Sequence, residues 1–266
     1  MLFSWLRARR RRKLLAEPFP LRWTVFLERN VGHYPHLPPD TQAHLRDITR
    51  VLVAEKQWLG RGGLFVTEEM RVTIAAQAAL LLLGADRRYY PRVRDVIVFP
   101  TEFRTPRAED DWEDDFLSDT SLAGVAVDRG PVILAWDQVL TEGRNPGAGY
   151  NVVTHEFAHQ LDFLEGLAGG APDLGDRALE ARWLYVMSVA FADHRRAIRE
   201  NVTDAFFTPH AADNEMEFFA DVTEVFYCRP VALKDLHPEM YGLLAAYYRV
   251  DPGTWFGPTD DARRER

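Results

Sequence analysis

The sequence predicts a helix-dominated α+β fold with a small β-sheet. Three observations carry that expectation. The second half of the chain repeats apolar residues at helical spacing. Two short runs rich in β-branched residues are bounded by proline or glycine. The chain has 266 residues and is 47% hydrophobic, enough to bury a large core without disulfides.

Residues 18–39 carry Pro18, Pro20, Pro35, Pro38 and Pro39 and read as an irregular lead-in. Thr41–Glu55 is helical, with Leu45, Ile48, Val51 and Leu52 on one stripe. A turn follows at GRGG, residues 60–63. Thr67 with Glu68 and Glu69 then has the form of an N-cap with first-turn acids. The helix it opens runs to about Leu83. Its second half is apolar on nearly every face, which predicts a central buried helix holding Gln77 as a hydrogen-bonded core amide.

Asp95–Pro100 (DVIVFP) reads as one strand and Gly130–Trp136 (GPVILAW) as a second. Between them, residues 108–119 hold seven acids among twelve and read as a solvated loop. A glycine-rich loop, residues 142–149, leads into four expected helices at about 151–165, 176–193, 213–227 and 237–248.

Charge is unevenly spread. The chain carries a formal net charge of −8, and residues 7–13 (RARRRRK) carry six positive charges, which leaves −14 on the remainder. An acidic body argues against direct nucleic-acid binding. The arginine run could meet phosphate or anionic lipid, and reads first as a solvated, flexible terminus. Cys228 is the single cysteine, so no internal disulfide can form and a reducing, cytoplasmic setting is expected. In its apolar run Cys228 reads as a buried small hydrophobe. There is no signal-peptide pattern, and no apolar stretch reaches the length of a membrane span.

Residues 151–162 read NVVTHEFAHQLD. His155 and His159 are four apart, so a helix sets both imidazoles on one face, one turn apart. Two imidazoles at that spacing can bind one Zn²⁺, and Glu156 lies where it would take the proton of an attacking water. Asn151 and Thr154 offer capping oxygens, and Gly166 offers a stop. A catalytic zinc site needs a third protein ligand. Glu165, six residues past His159, would serve only if the helix turned at Asp162, where no glycine stands. The alternative lies in DNEMEFFADVTEVFY, residues 213–227, with Glu215, Glu217 and Glu224 as candidates. Glu217 and Glu224 share one face with Asp221, and periodicity does not choose between them. Asp162 shares the face of His155 and His159 and is expected to orient an imidazole through its second nitrogen, with Glu224 and Asp221 as further candidates for such support.

HEFAHQLD followed by NEMEFFADVTEVF resembles the Mlc titration factor A family of bacterial zinc peptidases. The likeness extends to QAALLLLG, VIVFP and GPVILAWDQVL and covers roughly residues 20–250. It implies one zincin-like peptidase domain over 20–250, a basic tail at 1–19 and a C-terminal tail at 251–266. It also implies a gluzincin-type site related to the catalytic domain of anthrax lethal factor, with the sheet beside the active-site helix. The family pattern N-x-x-E-x-F-A falls on Asn214, Glu217, Phe219 and Ala220, so the resemblance implies Glu217 as third ligand to a single zinc ion. It implies aminopeptidase-like hydrolysis of peptide or protein substrates and, in enterobacteria, binding of the repressor Mlc. In one respect the chain departs from the family. Seven residues before the ligand glutamate the family often has a tyrosine that stabilises the oxyanion; here the position is His210, which can donate the same hydrogen bond when protonated. By analogy with other zinc peptidases, the strand Val132–Trp136 would pair with an extended substrate.

Overall fold

A computed structural model of the chain describes residues 2–84, 89–101, 130–167, 169–202 and 206–256. The acidic run 108–119 lies outside the described residues. The architecture is helix-dominated α+β, as the sequence predicts. In chain order the helices are α1 (Leu2–Ala16), α2 (Leu21–Asn30), α3 (Pro39–Glu55), α4 (Glu68–Leu80) and α5 (Trp136–Arg144). They continue with α6 (Val152–Glu165), α7 (Arg177–Arg199), α8 (Glu215–Cys228), α9 (Pro230–Leu236) and α10 (Pro238–Tyr248). Strands β1 (Gln57–Gly60), β2 (Asp95–Phe99) and β3 (Val132–Ala135) form one parallel sheet in the order β1-β2-β3, with Trp58 opposite Val96 and Val96 opposite Val132. No helix among the described residues is long and apolar enough to cross a membrane.

The expected helices fall near their observed limits, although α7 runs on to Arg199 instead of ending near 193, and five elements, α9 among them, escaped the sequence reading. The lead-in contains α2, which starts directly after Pro20, where the fixed proline backbone enters a helix easily. β1 is only four residues long and carries no alternation of its own; its pairing with β2 makes it a strand. Trp136 begins α5 instead of ending β3.

The fourth is α1. The basic run, expected as a flexible tail, is helical and docked. Arg11 forms a fork with Glu55 (Nε–Oε1 2.7 Å, Nη2–Oε2 2.8 Å) and stacks on the Tyr89 ring. Arg50 caps the far end by donating to the carbonyls of Leu14, Leu15 and Glu17. The other expected tail also departs from expectation at its start. Trp255 and Phe256 are buried against His33, because two aromatic rings gain more from burial than their backbone loses by ordering.

α4 is the central buried helix: from Val72 to Leu80 every residue is buried. Gln77 is the hydrogen-bonded core amide expected, and it braces the element that matters most. Its Nε2 donates to Val139 O of α5 (3.1 Å), and its Oε1 accepts from Asn151 Nδ2 (3.0 Å) at the start of α6. α5 can approach this amide only because residue 143 is glycine. A Cβ there would lie 2.2 Å from Gln77 Nε2 and 2.9 Å from Asn30 O. Gly143→Ala should therefore push α5 off α4 and destabilise the protein by about 1–3 kcal/mol, read from urea unfolding. An unfolding midpoint no lower than the native one would show that this contact is not tight.

Candidate metal centre

α6 begins and ends where the sequence said it should. Asn151 caps it, its Oδ1 accepting from Thr154 N at 2.8 Å, and Gly166 closes it in the left-handed conformation (φ +70°) that a side-chain-bearing residue adopts reluctantly. Half-buried Glu142 adds a second cap by accepting from Val152 N (2.6 Å); its partial burial raises its pKa. Two carboxylates near the amino end of α6, Glu142 and Glu224, suit the positive pole of its dipole.

α6 and α8 pack side by side. Asn214 caps α8 by accepting from Met216 N (2.9 Å) and Glu217 N (3.0 Å), which fixes the first turn and with it the Glu217 side chain. From the two helices, His155, His159 and Glu217 offer ligand atoms that all lie within 4.8 Å of one another. The edges are shorter than that bound. Glu217 Oε2 is 3.0 Å from His155 Nε2 and 3.3 Å from His159 Nε2, and the two Nε2 atoms are 3.1 Å apart. A tetrahedral zinc ion with bonds of about 2.0–2.1 Å has ligand–ligand edges of about 3.3 Å. Two nitrogens and one oxygen at this spacing fit a borderline-soft divalent ion well.

Of the three candidate glutamates on α8, the fold separates the roles. Glu217 meets both imidazoles. Glu224, two turns along the same face, reaches behind His155 instead. Its Oε1 accepts from Nδ1 (2.7 Å) and its Oε2 accepts from Asn151 N (2.5 Å). A carboxylate only accepts here, so Nδ1 carries the proton and Nε2 is the nitrogen left to face Glu217. Glu215 is exposed and lies near the Gly169 backbone. Glu165 is exposed at the end of α6.

Asp162 does not do what the helix wheel suggested. It is buried, but the second nitrogen of His155 belongs to Glu224, and His159 Nδ1 has no hydrogen-bond partner among the described residues. Sharing a helix face placed Asp162 near the imidazoles in projection; the approach of α8 decided which carboxylate reached one.

Glu156 is buried (3% exposed), and its Oε2 has no hydrogen-bond partner among the described residues. Burial raises its pKa, against the pull of His155 and His159. A buried carboxylate oxygen without a partner is costly unless a ligand or water meets it. Burial also opposes the charge on His155, yet the hydrogen bonds to Glu217 and Glu224 carry its pKa well above the usual value. For Glu217, burial works upward, but hydrogen bonds from His155, His159 and His210 hold its pKa far below the usual carboxylate range.

His210 stands at the rim, its side chain 60% exposed, with its ring stacked on that of His155 at 6.2 Å. Nε2 lies 3.0 Å from Glu217 Oε2, and Nδ1 donates to Asp213 Oδ2 at 2.7 Å. The bond to Glu217, with a smaller part from Asp213, outweighs burial and raises its pKa to about 9. The short 3₁₀ turn that carries it, Pro209–Ala212, is clamped at Thr208. Thr208 Oγ1 donates to Asp221 Oδ1 (2.5 Å), and Thr208 O accepts from His194 Nε2 (2.8 Å). Asp221 is buried, which raises its pKa to about 6 in spite of the Thr208 hydroxyl. It stands one turn beyond Glu217, so one helix fixes both Glu217 and the turn that presents His210.

The sequence reading missed Glu142, Thr208, His194 and Asp213. Each acts on backbone or on a side chain brought near by folding, and only Asp213, three residues after His210, stood at a spacing that could have been noticed.

Residues 5–249 match the family described as Glucose-regulated metallo-peptidase M90. An uncharacterized protein of Synechocystis sp. is 32% identical over 249 residues, covering 91% of this chain and 89% of that protein. Mlc titration factor A of Yersinia enterocolitica is 27% identical over 229 residues, covering 84% of each. Mlc titration factor A of Yersinia pestis is 27% identical over 217 residues, covering 79% of this chain and 78% of that protein. With the match spanning nearly the whole sequence and enclosing the His155–His159–Glu217 cluster, this chain belongs to the glucose-regulated M90 family of metallo-peptidases.

Proposed function

We propose that this protein is a zinc-dependent peptidase of aminopeptidase-like action, working in the cytoplasm. In this reading His155 and His159 through Nε2, and Glu217 through Oε2, hold one zinc ion. The observation that carries it is the convergence of those three atoms beside the buried Glu156 carboxylate, whose Oε2 has no hydrogen-bond partner among the described residues. Bound there, zinc would polarise the scissile carbonyl and acidify the attacking water. Glu156 takes the water proton and delivers it to the departing amine nitrogen, and its raised pKa suits both halves of that task. His210 donates Nε2–H to the developing oxyanion. Because Asp213 occupies Nδ1–H, this requires the imidazolium, which the raised pKa maintains at neutral pH. Glu224 holds His155 in the tautomer that turns Nε2 toward the ion, and Asp221 holds the turn bearing His210. β3 lies against α6 and is the element for an extended substrate to follow.

Binding of a transcriptional repressor is a second reading. It rests on the name Mlc titration factor A carried by the Yersinia relatives. A binding role alone gives no reason to bury a carboxylate at Glu156. Gel filtration with a candidate repressor decides it: co-elution at micromolar concentration supports it, and separate peaks count against it.

Glu156→Gln should retain zinc and lose nearly all turnover of aminoacyl or peptide substrates. Normal cleavage by that variant, with zinc bound, would remove Glu156 from the mechanism.

Zinc uptake by the metal-free protein should release protons. Folding raises the pKa of His155, so its proton competes with zinc even above neutral pH, and affinity should fall as pH falls. Glu224→Gln should weaken zinc binding about 10–100-fold, measured by chelator competition, while Glu215→Gln leaves it unchanged. Equal affinities for both variants would show that Glu224 does not support His155.

His210→Ala should lower kcat about 10²–10³-fold. In the native enzyme kcat/KM should decline as His210 loses its proton. With Glu217 engaged by zinc, that limb lies below the value of about 9 set in the metal-free cluster. His210→Tyr should keep activity and move the limb upward, since a phenol holds its proton to about pH 10. A pH profile that is the same in all three proteins would exclude His210 from oxyanion stabilisation.

A further inference from the structure

Arg11 fixes the rotation of α1 about its own axis. The Glu55 fork and the Tyr89 ring hold one side of the helix to the body, and Arg50 pins its last turn through the carbonyls of Leu14, Leu15 and Glu17. Residues in a helix are about 100° apart, so the face turned away from Arg11 is set by arithmetic. Trp5, Leu6, Arg9 and Lys13 fall within about 60° of the direction opposite Arg11, and Arg10 and Arg12 flank them. All six are exposed, Trp5 at 52% and Leu6 at 47%. Among the described residues no carboxylate pairs with Arg9, Arg10, Arg12 or Lys13; the Arg9 guanidinium lies over the Trp5 ring at 5.6 Å.

Such a face is unusual on a protein whose remaining residues sum to −14. A basic helix that served only solubility would have no reason to expose a tryptophan and a leucine among its cations. An indole and an aliphatic side chain beside several guanidinium groups match the boundary of a bilayer with acidic headgroups, where the two apolar groups enter the interface and the cations meet phosphate. Duplex nucleic acid would use the cations but not the apolar pair, and it would be repelled by the acidic body.

We propose that α1 is an interfacial anchor that holds this protein on anionic phospholipid bilayers through the face bearing Trp5, Leu6, Arg9 and Lys13. The contact is peripheral. It is made by headgroup attraction and shallow burial of two side chains, and neither ingredient alone is strong.

Flotation of the full-length, zinc-loaded protein with phosphatidylglycerol or phosphatidylcholine vesicles tests this. Binding to phosphatidylglycerol vesicles is expected at low salt, with loss at high salt and little binding to phosphatidylcholine. Replacing Arg9, Arg10, Arg12 and Lys13 by Gln should weaken binding roughly fivefold per charge removed, several hundred-fold in all. Trp5→Ala should weaken it further at constant charge. Arg11 is retained in each variant so that α1 stays docked, and an unchanged urea midpoint reports that it does. Arg22→Gln with Arg29→Gln, which removes two exposed cations elsewhere, should leave binding unchanged. Equal binding to both lipids, full binding by the four-charge variant, or tighter binding to a DNA duplex than to phosphatidylglycerol vesicles at the same salt would overturn the proposal.

Discussion

The bridge that Glu224 makes between His155 Nδ1 and the Asn151 amide is the constraint on which the candidate centre depends. One carboxylate on α8 fixes the first turn of α6 and the rotation of the imidazole one turn on. Without it, the distance between the two helices would still be set by packing, but the direction of Nε2 would not. The same carboxylate lies close to the Glu217–His155 pair, so charge compensation and geometry come from one source. Buried charges tolerate this only when each has a partner, and in this cluster the acids and imidazoles supply one another.

Support spreads outward from that bridge through polar groups in the core. Asn151 binds Gln77, and Gln77 binds Val139 O, so the start of α6 is tied to α4 and α5. α4 in turn is sealed among apolar side chains, which makes its buried amide a rigid reference point. On the other side, Asp221 holds the Thr208 hydroxyl and His194 its carbonyl, and together they present His210 at the rim. The inner residues, His155, Glu156 and His159, are locked on a packed helix; His210 rides on a short turn and is well exposed. A rigid floor and a more accessible rim are what a site needs if it must hold an ion and still admit a peptide chain.

α1 obeys different physics. Its docking rests on one ion-pair fork, a cation–π contact and a set of carbonyl caps, and little apolar area is buried beneath it. The uneven charge that marks this region in the sequence therefore persists in the fold, because Arg9, Arg10, Arg12 and Lys13 are turned away from the acidic body.

Local periodicity determined a great deal. The spacing of His155, Glu156 and His159, the caps at Thr67, Asn151 and Gly166, and the buried character of α4 could all be read from the chain, because each follows from interactions within a few residues. Elements without local pattern were invisible for the same reason: β1 exists through its partner strand, α2 hides among prolines, and α1 is held by side chains dozens of residues away. What only the tertiary structure decided was the partition of carboxylates. Glu217 and Glu224 share one helix face and differ in sequence context only through the family pattern, while Asp162 shares the face of the imidazoles themselves. Helical periodicity gives direction around an axis and says nothing of the distance to a second axis. The packing of α8 against α6 supplied that distance. It set Glu217 against both Nε2 atoms and Glu224 behind His155, and it left Asp162 with neither imidazole.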